Sequence, residues 1–250
     1  MTGRLYAGTS GFSYPDWAPA FYPPGTRADG MLRFYATRFT ACELNNTWYQ
    51  TPSEAKVRSW IAATPPEFRF TVKGQRGASQ RALLADPAES VPFLTDPIRQ
   101  FDDRLGTVLF RVPAEIKRDD ARLTALLDHW PPELPLTMEF QDTSWFVDEV
   151  LELCRSRRAV VCATELESDD QPPRLWVTGP HLYIRLRREQ YTHVEIGAWA
   201  DRLVPFLEAG HDIFAFFRHD ATGEAAIRAT ALSDEIASRL GRTRGGPAAD

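Results

Sequence analysis

Apolar and polar positions change their spacing repeatedly along this chain, and the change follows one rhythm. Short, mostly apolar runs rich in β-branched and aromatic residues alternate with longer stretches whose apolar positions fall three and four apart. The short runs predict strands at 5–9, 41–45, 68–73, 107–112, 136–140, 159–163, 181–186 and 212–217. Between them the spacing predicts helices over 30–39, from the capping Ser53 through Ile61, and from Asp86 and Pro87 through Leu94. Further helices are predicted over 119–130, 146–157, 196–207 and 224–240. The stretch 168–177 keeps neither period and reads as irregular, with a short helix or stub strand around Leu175–Val177.

Eight strands alternating with helices, with no low-complexity linker and no shift of composition, predict one α/β domain over residues 1–240. The expected architecture is a closed (β/α)8 TIM-type barrel, with an irregular segment between strands six and seven. Residues 241–250 read as a flexible tail. A doubly wound open sheet shares this alternation, but the turn Gly8–Gly11 does not match the GxGxxG fingerprint expected after its first strand.

The first predicted strand breaks at Ser10 and Gly11 into a segment dense in aromatic, glycine and proline residues, from Phe12 to Gly25. A chain leaves a buried strand in this way to build a rim. Tyr14, Trp17, Phe21 and Tyr22 have two readings, as the wall of a site or as an apolar plug under a long loop.

Composition narrows the class without naming a function. The 250 residues are 43% hydrophobic and 25% charged, and no apolar run approaches the roughly 20 residues that span a bilayer. No membrane association is expected. Met1–Leu5 lacks the pattern of a signal peptide, so a cytoplasmic location is the expectation. Cys42, Cys154 and Cys162 are odd in number and lack ligand spacing, which predicts mostly buried, reduced thiols with neither disulfide nor zinc; no cofactor is expected. A net charge of -5 argues against a surface coated for nucleic acid while leaving room for a local basic pocket.

A resemblance spans nearly the whole chain. It is carried by Gly8–Tyr14, Trp17, Phe21–Pro23, Tyr35 and Ala36, Glu43–Asn45 with Thr47–Tyr49, Pro52, Trp60, Thr64 and Pro65, Phe68–Lys73, and Leu109 with Phe110. These residues resemble the YecE-like family, a domain of unknown function. The resemblance implies a TIM-type barrel and implies no particular reaction. The chain departs from the family pattern at Ser79 and Gln80, Arg111, Gln141 and Asp142, Arg187 and Arg188, and Arg218 and His219. Those departures fall at strand ends and mark a divergent branch.

In such barrels the site lies at the carboxyl ends of the strands, and side chains alternate inward and outward along each strand. The polar residues there are Ser10, Glu43, Asn45, Lys73, Arg76, Arg111, Glu139, Gln141, Glu165, Arg185, Arg187, Arg218 and His219. Tyr14, Trp17, Tyr49, Trp145 and Tyr191 are aromatic candidates for stacking, with core packing equally open for Trp145. Cations converging on one mouth must be neutralised by carboxylates or by an anionic ligand. A self-satisfied ring of ion pairs is one outcome, and capture of a phosphate or carboxylate by guanidinium groups is the other. A metal reading would use Glu43, Glu139, Glu165 and His219, but neither HxH nor HxxE spacing occurs, so no metal is expected.

Two functions follow. One is an enzyme acting on a phosphate- or carboxylate-bearing substrate, with Glu43 and Glu139 as an acid/base pair whose environments drive their pKa values apart. The other is a non-catalytic protein that binds a nucleotide or nucleic acid in the same mouth. In the plainer alternative both glutamates neutralise barrel arginines.

Overall fold

The computed structural model describes residues 2–241. In chain order its principal elements are β1 (Leu5–Thr9), α1 (Ala28–Ala36), β2 (Ala41–Leu44), α2 (Glu54–Ala62), β3 (Arg69–Lys73), α3 (Arg76–Leu84) and α4 (Pro87–Thr95). They continue with β4 (Leu105–Val112), α5 (Asp120–His129), β5 (Leu136–Phe140), α6 (Asp148–Ser156), β6 (Val160–Val161), β7 (Ala163–Glu165), β8 (His181–Leu186), α7 (His193–Glu208), β9 (Asp212–Phe217) and α8 (Glu224–Arg239). Local chemistry fixes several helix starts. Ser53, Asp86 and Asp119 accept from the backbone N–H three residues on, and Thr192 with Glu195 forms a reciprocal capping box. The expected tail at 241–250 lies, apart from Gly241, outside the described residues.

All strand pairings are parallel, so the architecture is mixed α/β with helices packed on parallel sheets. Where a single closed ring was the expectation, the strand pairing divides into two sheets, one in the order β1-β9-β8-β7 and the other β2-β3-β4-β5-β6. Tyr35 explains one break. Its hydroxyl accepts from the Thr9 N–H at 2.7 Å and donates to the Ala41 carbonyl at 3.2 Å, standing where a β1–β2 ladder bond would run. Gly8 permits that approach, because a Cβ there would lie 2.2 Å from the Ala41 carbonyl oxygen. Beyond the hydroxyl, a single bridge joins Ser10 to Glu43, and the Gly11 N–H donates to the Glu43 carbonyl at 2.7 Å. The second break falls at Cys162, where the run 160–165 leaves β5 and takes up β8.

Period-two alternation sorts the side chains into two layers. Val108, Phe110 and Val112 of β4 face the outer core beneath the helices, while Leu109 joins Tyr6, Ala41, Val160, Cys162, Tyr183, Phe214 and Phe216 between the sheets. Inward residues of both sheets thus share one inner cluster, with the polar strand ends above it.

Two further differences from the expected elements have physical causes. Helix α3 was not expected, because Gly77 and Ser79 weaken its propensity and only Ala78, Ala82 and Leu83 mark its buried face. The segment between β7 and β8 is irregular as expected, but Leu175–Val177 forms neither helix nor strand.

Candidate functional site

Parallel order brings the carboxyl ends of the strands to one face, and the floor there is built from four charges. Glu43 of β2, Glu139 of β5 and Arg185 of β8 are 0%, 1% and 2% exposed. Arg185 donates from Nε to Glu43 Oε2 at 3.0 Å, from Nη2 to Glu43 Oε1 at 2.9 Å and from Nη1 to Glu139 Oε1 at 2.6 Å. Tyr183 donates to Glu43 Oε2 at 2.8 Å, and Thr164 to Glu139 Oε1 at 3.0 Å. Ser10 hydrogen-bonds Glu43 Oε1, and Lys73 Nζ lies 3.0 Å from the same oxygen while also donating to Asn45 Oδ1. The Asn45 amide donates to the Ser10 carbonyl at 2.7 Å and to the Tyr14 hydroxyl at 3.2 Å.

This floor is electrically balanced, two carboxylates against Arg185 and Lys73. Burial by itself pushes the Glu43 carboxyl up, but Arg185, Lys73 and the Ser10 hydrogen bond outweigh it and hold the group well below the usual carboxylate range. Glu139 is lowered in the same way, burial being overcome by Arg185 and Arg111. The expectation that the two environments drive the pair apart is therefore corrected: both stay ionised. Their apolar strand neighbours Leu44, Met138 and Phe140 point into the outer core, whereas the guanidinium sits between the carboxylates.

Above the floor opens a cleft of about 460 Å³, lined by Ser10, Tyr14, Asn45, Tyr49, Lys73 and Glu139 together with Arg111, Arg185, Arg187, Arg218 and His219. Its upper cations are differently placed from Arg185. Arg187 and Arg218 take part in no ion pair among the described residues. The Arg187 guanidinium is pushed down by burial and by the neighbouring Arg185 charge. Arg111 Nε lies 3.6 Å from Glu139 Oε2, near enough to attract but beyond hydrogen-bond reach, and both atoms are buried without a hydrogen-bond partner. The Arg111 guanidinium also lies 5.7 Å from the centre of the Trp48 ring. His219 stacks on Tyr14 with ring centres 5.0 Å apart, and burial, then Lys73, Arg218 and Arg187, push its pKa below 6.5. The imidazole is accordingly neutral at pH 7.

The structure does not bring every expected residue to this cleft. Trp17 is fully buried, its indole N–H donating to the Asp220 carbonyl at 2.9 Å while its ring packs on Tyr14, Phe21 and Tyr22. Trp145 is likewise core, bound to the Ile116 carbonyl at 2.9 Å. Tyr191 serves Glu165, donating to its Oε2 at 2.7 Å beside the Trp199 indole. Arg76 and Gln141 line a neighbouring groove of about 440 Å³ that shares only Trp48 and Arg111 with the cleft. Asn46, Trp48 and Leu109 line the cleft without having been expected, and Tyr183 and Thr164 complete its floor. The alternation along β8 marked Tyr183, two residues before Arg185; Asn46 and Trp48 sit on a 3-10 turn with no such register.

Among the described residues no group of three or more His, Cys, Asp or Glu side chains is arranged to hold a metal ion. Cys42, Cys154 and Cys162 are buried free thiols. No helix among the described residues is long and apolar enough to cross a membrane.

Comparison with known proteins places this geometry in a wider group. The chain is 22% identical to the UPF0759 protein YunF of Bacillus subtilis (strain 168), over 89% of this chain and 91% of that one. A DUF72 family protein from Thermotoga maritima MSB8 superposes with a TM-score of 0.76 at 25% identity, covering 96% of this chain and 100% of the other. A DUF72 family protein from Enterococcus faecalis V583 has the same fold at 18% identity, with a TM-score of 0.75 and coverage of 96% and 99%. Residues 6–249 match the family described as "Protein of unknown function DUF72", and the chain belongs to that family.

Proposed function

We propose that the cleft binds a small phosphate- or carboxylate-bearing ligand through Arg111, Arg187 and Arg218, above the balanced floor of Glu43, Glu139, Arg185 and Lys73. The observation that carries this is the surplus of cations: Arg187 and Arg218 lack ion pairs among the described residues, and the buried Arg111 Nε–H lacks an acceptor. Arg187 is half-buried beside the Arg185 charge while Arg218 is exposed at the rim, and an oxyanion gripped by guanidinium forks offsets the repulsion among these like charges. The volume lies within the range of small-molecule sites, about 300–1,000 Å³. Tyr14 with His219, Trp48 and Tyr49 offer flat faces at the rim.

In this reading the two sheets act as one barrel of (β/α)8 type, and the ligand enters at the carboxyl ends of its strands. Glu43 and Glu139 serve as fixed counter-charges. Carboxylates held this far below neutrality are poor proton carriers at pH 7, which favours binding over acid/base chemistry as the role of the floor. Four departures from the YecE-like pattern, Arg111, Arg187, Arg218 and His219, line the cleft, so a divergent branch would differ in its ligand.

Millimolar inorganic phosphate should raise the melting temperature by binding the folded state, and Arg187→Ala with Arg218→Ala should abolish the gain. Equal stabilisation of the double variant would reject the assignment. An oligonucleotide that binds far more tightly than phosphate, with affinity falling steeply as salt rises, would identify nucleic acid as the occupant instead.

A further inference from the structure

Resting on that anion reading, we infer that the ligand is a phosphomonoester of a polyol, with a hydroxyl group read by Arg111 and Glu139 beside the phosphate. The charge count favours phosphate over a monocarboxylate. Glu43 and Glu139 stand against Arg185, Lys73, Arg111, Arg187 and Arg218, so the cleft and its floor carry a surplus of three positive charges. A phosphomonoester carries about -1.5 to -2 at pH 7 and three acceptor oxygens, whereas a carboxylate supplies one charge and two.

The hydroxyl follows from one pair of atoms. Glu139 Oε2 is an acceptor without a donor, Arg111 Nε–H is a donor without an acceptor, and they lie 3.6 Å apart in the wall of the cleft. The carboxylate is 1% exposed and ionised, so an unpaired oxygen there is costly. A phosphate oxygen cannot satisfy both atoms, because an anionic acceptor set against Oε2 repels it. An O–H group accepts from Nε and donates to Oε2, closing the triangle with two bonds of about 2.8 Å each. Glu139 Oε1 is already occupied by Arg185 and Thr164, so the free oxygen is held in a fixed direction. The wall thus accepts a neutral donor–acceptor group at one point while the remaining cations take the anion.

Isothermal titration calorimetry of the full chain with glycerol 3-phosphate, propyl phosphate and inorganic phosphate tests this. The first two differ only in hydroxyl groups. Glycerol 3-phosphate is expected to bind about tenfold more tightly than propyl phosphate. That ratio should fall to near one in Arg111→Met and in Glu139→Gln, with the Arg111 variant also weaker toward all three probes. Arg111 is 37% exposed, so its replacement leaves the buried floor in place. Equal affinity of the wild type for the two esters, with both still binding, would overturn the polyol inference and leave the anion reading standing. A ratio that persists in a folded Arg111→Met protein would overturn it too. No heat with any probe, inorganic phosphate included, would overturn both readings together.

Discussion

Arg185 grips Glu43 with two nitrogens, Nε on Oε2 at 3.0 Å and Nη2 on Oε1 at 2.9 Å, and the two residues belong to different sheets. Its third nitrogen reaches Glu139, also in the sheet opposite to its own. The strands do not pair continuously across the β1–β2 seam, so this buried fork is an ionic, hydrogen-bonded clasp between the two sheets as well as the floor of the cleft.

Breaking the clasp should therefore cost stability before it costs anything else. Arg185→Met leaves two buried carboxylates facing each other, and the loss expected in urea unfolding is about 3–5 kcal/mol. Glu43→Gln keeps the shape and leaves Arg185 its bond to Glu139, so its loss should be smaller. A cost below about 1 kcal/mol for Arg185→Met would mean that the sheets are joined by other contacts.

Acid should act through the same carboxylates. Both have folded pKa values below the ordinary 4.5, so the unfolded chain binds more protons once the pH drops to that region. Their contribution is fully present above about pH 5, and it is lost progressively as pH falls through 4.5 toward the depressed folded values. Urea midpoints measured from pH 6 down to pH 2 should fall steeply in the wild type and less steeply in Glu43→Gln. Parallel curves would show that Glu43 is not the group being titrated.

The seam itself is open to test at Tyr35. Tyr35→Phe deletes the hydroxyl that serves both the Thr9 N–H and the Ala41 carbonyl, leaving buried groups unsatisfied at a cost of about 1–3 kcal/mol. Amide exchange at Thr9 should accelerate more than exchange in the middle of β9. Gly8→Ala should be worse, since its Cβ meets backbone rather than a movable side chain.

Asp220 organises the start of α8 from outside the helix. Its Oδ1 accepts from the Thr222, Gly223 and Glu224 N–H groups at 2.7, 2.6 and 3.1 Å, and its Oδ2 from Ala225 at 2.5 Å. Asp220→Ala should destabilise the protein by about 1–2 kcal/mol in chemical denaturation, the scale of a lost helix cap. Asp220→Asn should recover part of that, because its amide oxygen still accepts.

Much of the site was legible in the order of residues. The alternation of Glu43 with Asn45, of Thr71 with Lys73 and of Arg185 with Arg187 put polar groups on the inward face, because a strand sends every second side chain the same way. Parallel strands joined by helices then bring their carboxyl ends to one side. The cap residues Ser53, Asp86, Asp119 and Thr192 are local chemistry, readable within four positions. What only the tertiary structure decided is which charges are spent on one another. Arg185 and Arg187 are two residues apart on the same face, yet one is locked between Glu43 and Glu139 while the other lacks an ion pair among the described residues. The same holds for Trp17, whose indole finds its acceptor at Asp220, and for Tyr35, whose hydroxyl parts two strands. Arg185 meets a partner 142 residues away. Periodicity records the direction of a side chain, but pairing depends on distances of a few ångströms between segments remote in sequence, and those exist only once the chain has folded.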